Sequence, residues 1–65
     1  MKFSILFDST LSDKVINHIH KQITCKHFKN QNVTLFIGTT QDITPLINIR
    51  NIYSQAIIRC EGVKI

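Results

Sequence analysis

The chain has 65 residues and a net charge of +4, from eight Lys and Arg residues against four Asp and Glu residues. A chain of this length forms one domain and buries only about 60% of the surface that it exposes when unfolded, so its core must be thin. A hydrophobic fraction of 43% is too high for a disordered tail. The apolar start is broken by Asp8, which makes it too short for a signal peptide or for a membrane span of roughly 20 residues. We therefore expect a cytoplasmic protein with no membrane association.

The N-terminal part of the sequence predicts a strand followed by a helix. Residues 3–7 are apolar and rich in β-forming side chains, and the polar residues that follow them favour a turn. Thr10 or Ser12 is suited to cap a helix, and Asp13 is favourably placed in its first turn. The apolar side chains of this helix recur on one stripe at helical spacing, namely Val15, Ile16, Ile19 and Ile23.

The middle of the chain predicts two adjacent strands. We expect the helix to end near Lys26 or His27, so that Phe28 covers the core from the loop that follows. Residues 32–37 (NVTLFI) are β-branched and aromatic and form the clearest strand of the sequence. After a turn, residues 40–43 can pair back as a short third strand.

The last third of the chain predicts a second helix and a final strand. Thr44 and Pro45 form a helix-start signal: Thr44 is suited to cap the helix, and proline is tolerated at the first helical position, where its missing N–H would have no partner. The helix runs to about residue 53, and the alternating side chains of residues 56–60 are typical of a strand. The order β-α-β-β-α-β predicts a single domain, residues 1–65, of the α+β class: an open-faced β-sandwich in which two helices lie on one face of a four-stranded antiparallel sheet.

The sequence shows no complete catalytic or metal-binding arrangement. His18 and Cys25 are seven residues apart, as are His20 and His27, and two helical turns would separate each pair by about 10 Å. That distance is too long for one zinc ion. The glycines are isolated, so there is no phosphate-binding loop, and the four carboxylates are scattered at Asp8, Asp13, Asp42 and Glu61. We expect no metal, no cofactor and no enzymatic activity.

Three phenylalanines and both cysteines are assigned to structural roles. Exposed aromatic side chains on a sheet can stack RNA bases, but in so short a chain Phe3, Phe7 and Phe36 are needed to fill the core. Two cysteines do not make a disulfide framework, so Cys25 and Cys60 are expected to be reduced thiols.

The positive charge is concentrated in one segment, against the single acid Asp13: it contains Lys14, Lys21, Lys26 and Lys29. A basic helix face can attract nucleic acid or an acidic protein surface. The other interpretation is a solvated face that keeps a small protein soluble.

Four segments together resemble a known family. They are residues 4–11 (SILFDSTL), residues 32–35 (NVTL), residues 43–52 (ITPLINIRNI) and residues 56–62 (AIIRCEG). Their order and hydrophobic pattern are similar to those of HPr, the histidine-containing phosphocarrier protein of the bacterial sugar phosphotransferase system. The first segment resembles the strand that leads into the active-site loop of that family, and the third resembles its short second helix.

The active-site loop departs from the family pattern. In the family, Leu is followed by the phosphorylated His, a small residue, Arg and Pro, whereas Leu11 is followed by Ser12, Asp13, Lys14 and Val15. Lys14 keeps a cation that would face a phosphate, but Ser12 cannot form a phosphohistidine. Pro45 stands where the family has its regulatory serine. The resemblance therefore implies a degenerate member that has lost phosphocarrier activity and the C-terminal helix.

The resemblance also implies a docking patch. In the family an exposed apolar patch on the second helix binds partner proteins, and Ile47 and Arg50 lie at the corresponding positions. The leading hypothesis is a non-catalytic HPr-like domain that binds or regulates a protein partner in connection with the sugar phosphotransferase system. The alternatives are a small basic nucleic-acid-binding α/β domain and a phosphocarrier that uses a non-standard histidine.

A homodimer is also expected from the resemblance. The family covers its sheet with three helices and this chain offers two, so part of the apolar surface under the helices would lack a cover. A second copy could bury it through a two-fold interface, for which the candidate residues are Ile47, Ile57, Val63 and Ile65.

Overall fold

A computed structural model describes residues 1–64 and contains six regular elements. In chain order they are β1 (Lys2–Phe7), α1 (Asp13–Gln22), β2 (Lys26–Lys29), β3 (Thr34–Thr39), α2 (Thr44–Ile52) and β4 (Ile57–Cys60). This confirms the predicted order β-α-β-β-α-β. In the described part of the chain, neither helix is long and apolar enough to cross a membrane.

The four strands form one antiparallel sheet in the order β2-β3-β1-β4. Both β1 and β2 run antiparallel to β3 and are therefore parallel to each other. The segment β1-α1-β2 is thus a β-α-β unit, with β3 inserted between its two strands. In the same way, β1 separates the two strands of the β3-α2-β4 unit. Two interlocked units of this kind define the split β-α-β arrangement. The predicted α+β open-faced sheet is confirmed.

The strand register divides the sheet into two faces. Directly opposed residues of an antiparallel pair share a face, and successive residues alternate between faces. Ile5 lies opposite Phe36 and Ile58, on the face under the helices, which we call the covered face. The residues next to them in each strand project from the other side, which we call the open face.

The covered face and the two helices enclose the core. Its members are 8% exposed or less, and they are Phe3, Ile5, Phe7, Ile16, Ile19, Ile23, Phe36, Leu46, Ile49, Ala56, Ile58 and Cys60. The prediction that Phe3, Phe7 and Phe36 belong to the core is confirmed. Phe7 packs edge-on against both Phe36 and Tyr53, with ring centroids 6.1 and 5.9 Å apart.

The first helix is shorter than predicted. Ser12 is the N-cap, and its Oγ accepts a hydrogen bond from the backbone N–H of Val15 at 3.4 Å. The helix ends at Gln22, because Ile23 is already extended, at φ −154° and ψ 141°. Ile23 and Thr24 are consecutive β-branched residues, which lowers their preference for a helix. The prediction of a helix end near residues 26–27 was therefore wrong.

The predicted strand at residues 32–37 is confirmed as β3, Thr34–Thr39, but it is the third strand of the chain and not the second. The other middle strand lies elsewhere than predicted. Lys26–Lys29, assigned to a helix end and a loop, form β2, and Phe28 lies on the open face instead of covering the core. Residues 40–43 are not a strand. The Thr40 hydroxyl donates to the carbonyl of Asp42 at 2.7 Å, and Asp42 Oδ1 accepts from the backbone N–H of Thr44 at 2.9 Å. These local bonds form a turn into α2 and compete with strand pairing.

The surface under the helices does not lack a cover, contrary to the basis of the homodimer prediction. Ile47 is exposed on α2, whereas Ile57 is exposed on the open face, so the two side chains lie on opposite sides of the sheet. Val63 packs against the core, and Ile65 lies outside the described residues. Ile47 and Ile57 therefore do not belong to one patch, and the exposed apolar surface of the sheet lies on its open face.

A matched pair of substitutions tests this division of the sheet. Ile5 is fully buried in β1, whereas Ile57 is half exposed in β4. Ile5→Val should lower the free energy of unfolding by about 0.5–1.5 kcal/mol. Ile57→Val should change it by less than about 0.5 kcal/mol. Urea unfolding followed by far-UV circular dichroism measures both values, and equal losses would contradict the assignment of the faces.

Candidate protein-binding surface

The open face carries a continuous row of apolar side chains, one from each strand. The register aligns them across the whole sheet in the order Phe28, Leu35, Leu6 and Ile57, which we call the apolar row. Phe28 is 56% exposed and Ile57 is 50% exposed at the two ends, whereas the middle two residues are half-buried. Neighbouring strands are about 4.8 Å apart, so the four side chains are adjacent across the sheet.

The next row along the strands adds charge at both edges of the sheet. It consists of Lys26, Ile37, Ser4 and Arg59 in spatial order. Ile37 is 38% exposed and extends the apolar surface. Two residues further along β1 from Ser4, Lys2 also projects from the open face, opposite Thr39. In residues 1–64 the only ion pair joins Lys29 to Asp13, so Lys2, Lys26 and Arg59 are not paired with an acid.

The relief of this surface is shallow. A depression of about 310 Å³ lies between Ser4, Leu6, Leu35, Ile57 and Arg59 on the open face. At the sheet end that bears Lys2 and Lys26, a larger open cleft of about 580 Å³ reaches Phe3 and Gly38. At Gly38 an added Cβ would lie 3.0 Å from the Phe3 ring and from the carbonyl oxygen of Thr24, so the close approach of these segments requires glycine.

The residues predicted from the family resemblance lie on the two helices, away from the open face. The Ser12 hydroxyl is engaged as the cap of α1, and Lys14 is exposed in the first turn of the same helix. Ile47 and Arg50 are exposed on α2. Among the described residues, no hydrogen bond or ion pair joins the Ser12–Lys14 pair to the Ile47–Arg50 pair.

The four lysines of the basic segment do not form one stripe. Lys14 and Lys21 belong to α1, Lys26 projects from the open face, and Lys29 lies on the covered side of β2. Lys29 Nζ is 3.0 Å from Asp13 Oδ1, and this hydrogen bond and charge lower the pKa of Asp13, with a smaller contribution from the charge of His27. These four lysines therefore do not form the single basic face from which nucleic-acid binding was predicted.

The histidines make contacts that the sequence did not predict. His27 lies in β2 and not on the helix, so its Nδ1 is 2.8 Å from His20 Nε2. The expected separation of about 10 Å was wrong, because it assumed that one helix carries both residues. His18 Nδ1 is 2.8 Å from the Tyr53 hydroxyl, and Cys25 Sγ is 3.6 Å from His20 Nδ1.

Both cysteines are free thiols. Burial raises the pKa of the Cys25 thiol above its ordinary value. Cys60 is buried in the core.

The surface that sequence reasoning missed depends on β2. Its sequence, KHFK, has no apolar alternation, and its four residues are all exposed. The available signals were the β-branched pair before it and the period of two that places Lys26 and Phe28 on one side.

Comparison of the chain with protein-family models, with curated proteins and with solved structures finds no match in any of the three. The functional proposal therefore rests on the surface itself.

The reactivity of Cys25 is a direct test of its environment. At about pH 8, iodoacetamide should alkylate Cys25 more slowly in the folded chain than in the same chain unfolded in urea. The raised pKa leaves less of the reactive thiolate. The rate should continue to rise above the ordinary thiol pKa of about 8.5. Mass spectrometry of the Cys25 peptide measures both rates, and faster alkylation in the folded chain would indicate a thiol activated by His20.

Proposed function

We propose that this chain is a non-catalytic binding domain that recognises a protein partner through the open face of its sheet. The observation that carries the proposal is the apolar row, which crosses all four strands and is exposed at both ends. Contiguous exposed apolar surface on a small domain marks an interaction site, whereas single exposed apolar residues are ordinary. Ile37 widens the row towards the cations.

Burial of this surface would supply the binding free energy. Full burial of an apolar side chain of this size is favourable by about 1.5–3 kcal/mol, so covering the exposed parts of Phe28 and Ile57 would contribute about half of that for each. Phe28 is the largest exposed side chain of the row, and aromatic anchors commonly dominate protein interfaces. A flat or shallow apolar surface bordered by polar groups has the layout of a protein interface, in which a polar rim surrounds an apolar centre.

The cations of the open face favour an acidic partner, and they outnumber the acid Glu61, which lines a depression together with Lys2 and Arg59. Lys26 and Arg59 lie beside the two ends of the apolar row, and Lys2 lies beyond them. An amphipathic helix or strand with acidic flanks would cover the apolar row and place carboxylates near these cations. Such complementarity mainly increases the association rate and the specificity. The proposed partner is therefore an acidic, amphipathic protein segment.

The family resemblance gives this proposal a specific setting. A non-catalytic role agrees with the engagement of the Ser12 hydroxyl in a helix cap, at the position where the HPr family has its phosphorylated histidine. The resemblance predicts a partner connected with the sugar phosphotransferase system, and it places the docking patch at Ile47 and Arg50. The open face is a different surface of the same domain, so substitutions can distinguish the two.

Matched substitutions on the two surfaces test the proposal. Phe28→Ala and Arg59→Glu change the open face, whereas Ile47→Ala and Arg50→Glu make comparable changes on α2. Each immobilised variant is incubated with cytosol from the native cell, and the captured proteins are quantified by mass spectrometry. For proteins that bind the wild-type chain, the amount captured by the open-face variants should fall at least about tenfold. Such a fall corresponds to a change of about 1.4 kcal/mol in the binding free energy. The same proteins should be retained with the α2 variants.

If the open-face variants still captured the proteins that bind the wild-type chain, and the α2 variants did not, docking would be assigned to α2 and the proposal would be contradicted. Sedimentation equilibrium of the wild-type chain at micromolar concentration identifies a second copy as the occupant. A dimer that Phe28→Ala converts to a monomer would replace the acidic partner by this chain itself. Far-UV circular dichroism of every variant confirms that it is folded.

A single-stranded nucleic acid is the second candidate ligand. Phe28 is an exposed aromatic side chain on the open face, with Lys26 two residues away on the same strand. Many β-sheet domains bind single-stranded nucleic acid by stacking its bases on aromatic side chains that lie beside cations. Fluorescence anisotropy with labelled oligonucleotides measures this interaction. Binding that weakens steeply with salt and is lost in Phe28→Ala would favour nucleic acid over protein.

The phosphocarrier alternative has its own test. Incubation with the first enzyme of the phosphotransferase system and phosphoenolpyruvate should leave the chain without phosphate, because Ser12 stands where the family has the reactive imidazole. Phosphorylation is measured as a mass increase and as acid-labile phosphate. A phosphohistidine at His18, His20 or His27 would show that a non-standard histidine serves as the carrier.

A further inference from the structure

Two imidazoles from different elements meet at the edge of the sheet. His20 lies in the last turn of α1 and His27 lies in β2, and 2.8 Å separates His20 Nε2 from His27 Nδ1. Their ring centroids are 4.9 Å apart and their planes differ by 62°. His27 is exposed and His20 is half-buried, so water and small ions can reach the contact.

Both imidazole rings contact the same core residue, Phe36. Each ring packs against Phe36, with centroid distances of 5.8 Å for His20 and 6.1 Å for His27. Phe36 is fully buried in the middle of the core. The two nitrogen atoms therefore converge because of the fold, and not because of one flexible loop. Preorganisation of this kind reduces the cost of binding a ligand.

The separation of the two nitrogens matches the needs of one type of metal ion. Imidazole nitrogen binds divalent transition metals at about 2.0–2.1 Å, so two such ligands at a right angle lie about 2.9 Å apart, and two at the tetrahedral angle lie about 3.4 Å apart. The observed 2.8 Å is close to the first value. Right angles between ligands are typical of square-planar and octahedral Cu²⁺ and Ni²⁺, whereas Zn²⁺ prefers a tetrahedron.

Cys25 orients one of the rings. Its Sγ is 3.6 Å from His20 Nδ1, the ring nitrogen that faces away from His27. A metal-bound imidazole commonly donates its other N–H to a nearby acceptor, which fixes the tautomer that leaves the first nitrogen free to bind. Proton donation from Nδ1 to the sulfur would leave the lone pair of His20 Nε2 free. His27 Nδ1 is then the donor in the hydrogen bond between the two rings, and its proton would move to His27 Nε2, through water, when the ion binds. Cys25 is in this arrangement a positioning residue and not a ligand.

We propose that His20 and His27 form a two-imidazole site for a divalent transition-metal ion of the Cu²⁺ or Ni²⁺ type, which links α1 to β2. The described residues contain no group of three or more His, Cys, Asp or Glu side chains that could hold a metal ion, so water or an external ligand completes the coordination.

Calorimetric titration of the untagged chain with Ni²⁺ tests the site, because this ion does not oxidise free thiols. We expect one ion per chain. His20→Ala and His27→Ala each remove a direct ligand and should weaken binding by at least about 100-fold, because the loss of an outer-shell partner alone typically costs about 10–100-fold. His18→Ala is the matched control and should retain the affinity of the wild-type chain, because His18 contacts Tyr53.

Cys25→Ser distinguishes a positioning thiol from a ligand. Its effect should be smaller than that of either histidine variant, and a loss as large as that of His20→Ala would overturn the two-imidazole assignment. Absence of binding by the wild-type chain, or equal weakening by His18→Ala, would overturn the site. Zn²⁺ should bind more weakly than Ni²⁺. In the unmodified chain, imidazole NMR signals should respond to Zn²⁺ at His20 and His27 and not at His18, which gives a result even if a variant fails to fold.

Discussion

The pairing of β1 with β3 is the constraint on which the rest of the structure depends. β1 is the only strand that contacts both β3 and β4, and its register places Ile5 between Phe36 and Ile58 in the centre of the core. A shift of one residue would exchange the faces of every side chain in the strand. Leu6 would then enter the core, and Ile5 would move to the open face. This register places Leu6 beside Leu35 in the middle of the apolar row, whereas the ends of the row and the position of His27 depend on the pairing of β4 with β1 and of β2 with β3.

The parts of the fold that the sequence predicted are those in which side-chain pattern and burial agree. The apolar β1, the Thr-Pro start of α2 and the alternating β4 lie close to their predicted positions, because each has one side in the core. The core role of Phe36 followed from the small size of the domain. In these elements, local preference and tertiary packing favour the same structure, which is what periodicity measures.

The parts that could not be predicted are those that tertiary contacts alone determine. β2 has no buried residue, so its sequence carries no hydrophobic period, and its pairing with β3 decides that Lys26–Lys29 are extended. Because the prediction placed these residues in a helix end and a loop, it assigned Phe28 to the core instead of the open face, and His27 to the helix instead of the sheet. The candidate surface and the histidine contact were both missed for this single reason. Surface binding residues of this kind leave no mark in an apolar pattern.

The edge strand β2 also has a thermodynamic consequence. It is four residues long and hydrogen-bonds to β3 alone, so it should open locally at a lower free-energy cost than β1, which pairs on both sides. Phe28 and His27 project from opposite sides of this strand. A ligand on either side must first hold β2 in place, and the ordering cost is then already met for a ligand on the other side. Two sites that share no atom would in this way bind cooperatively, through the folding equilibrium of a single strand.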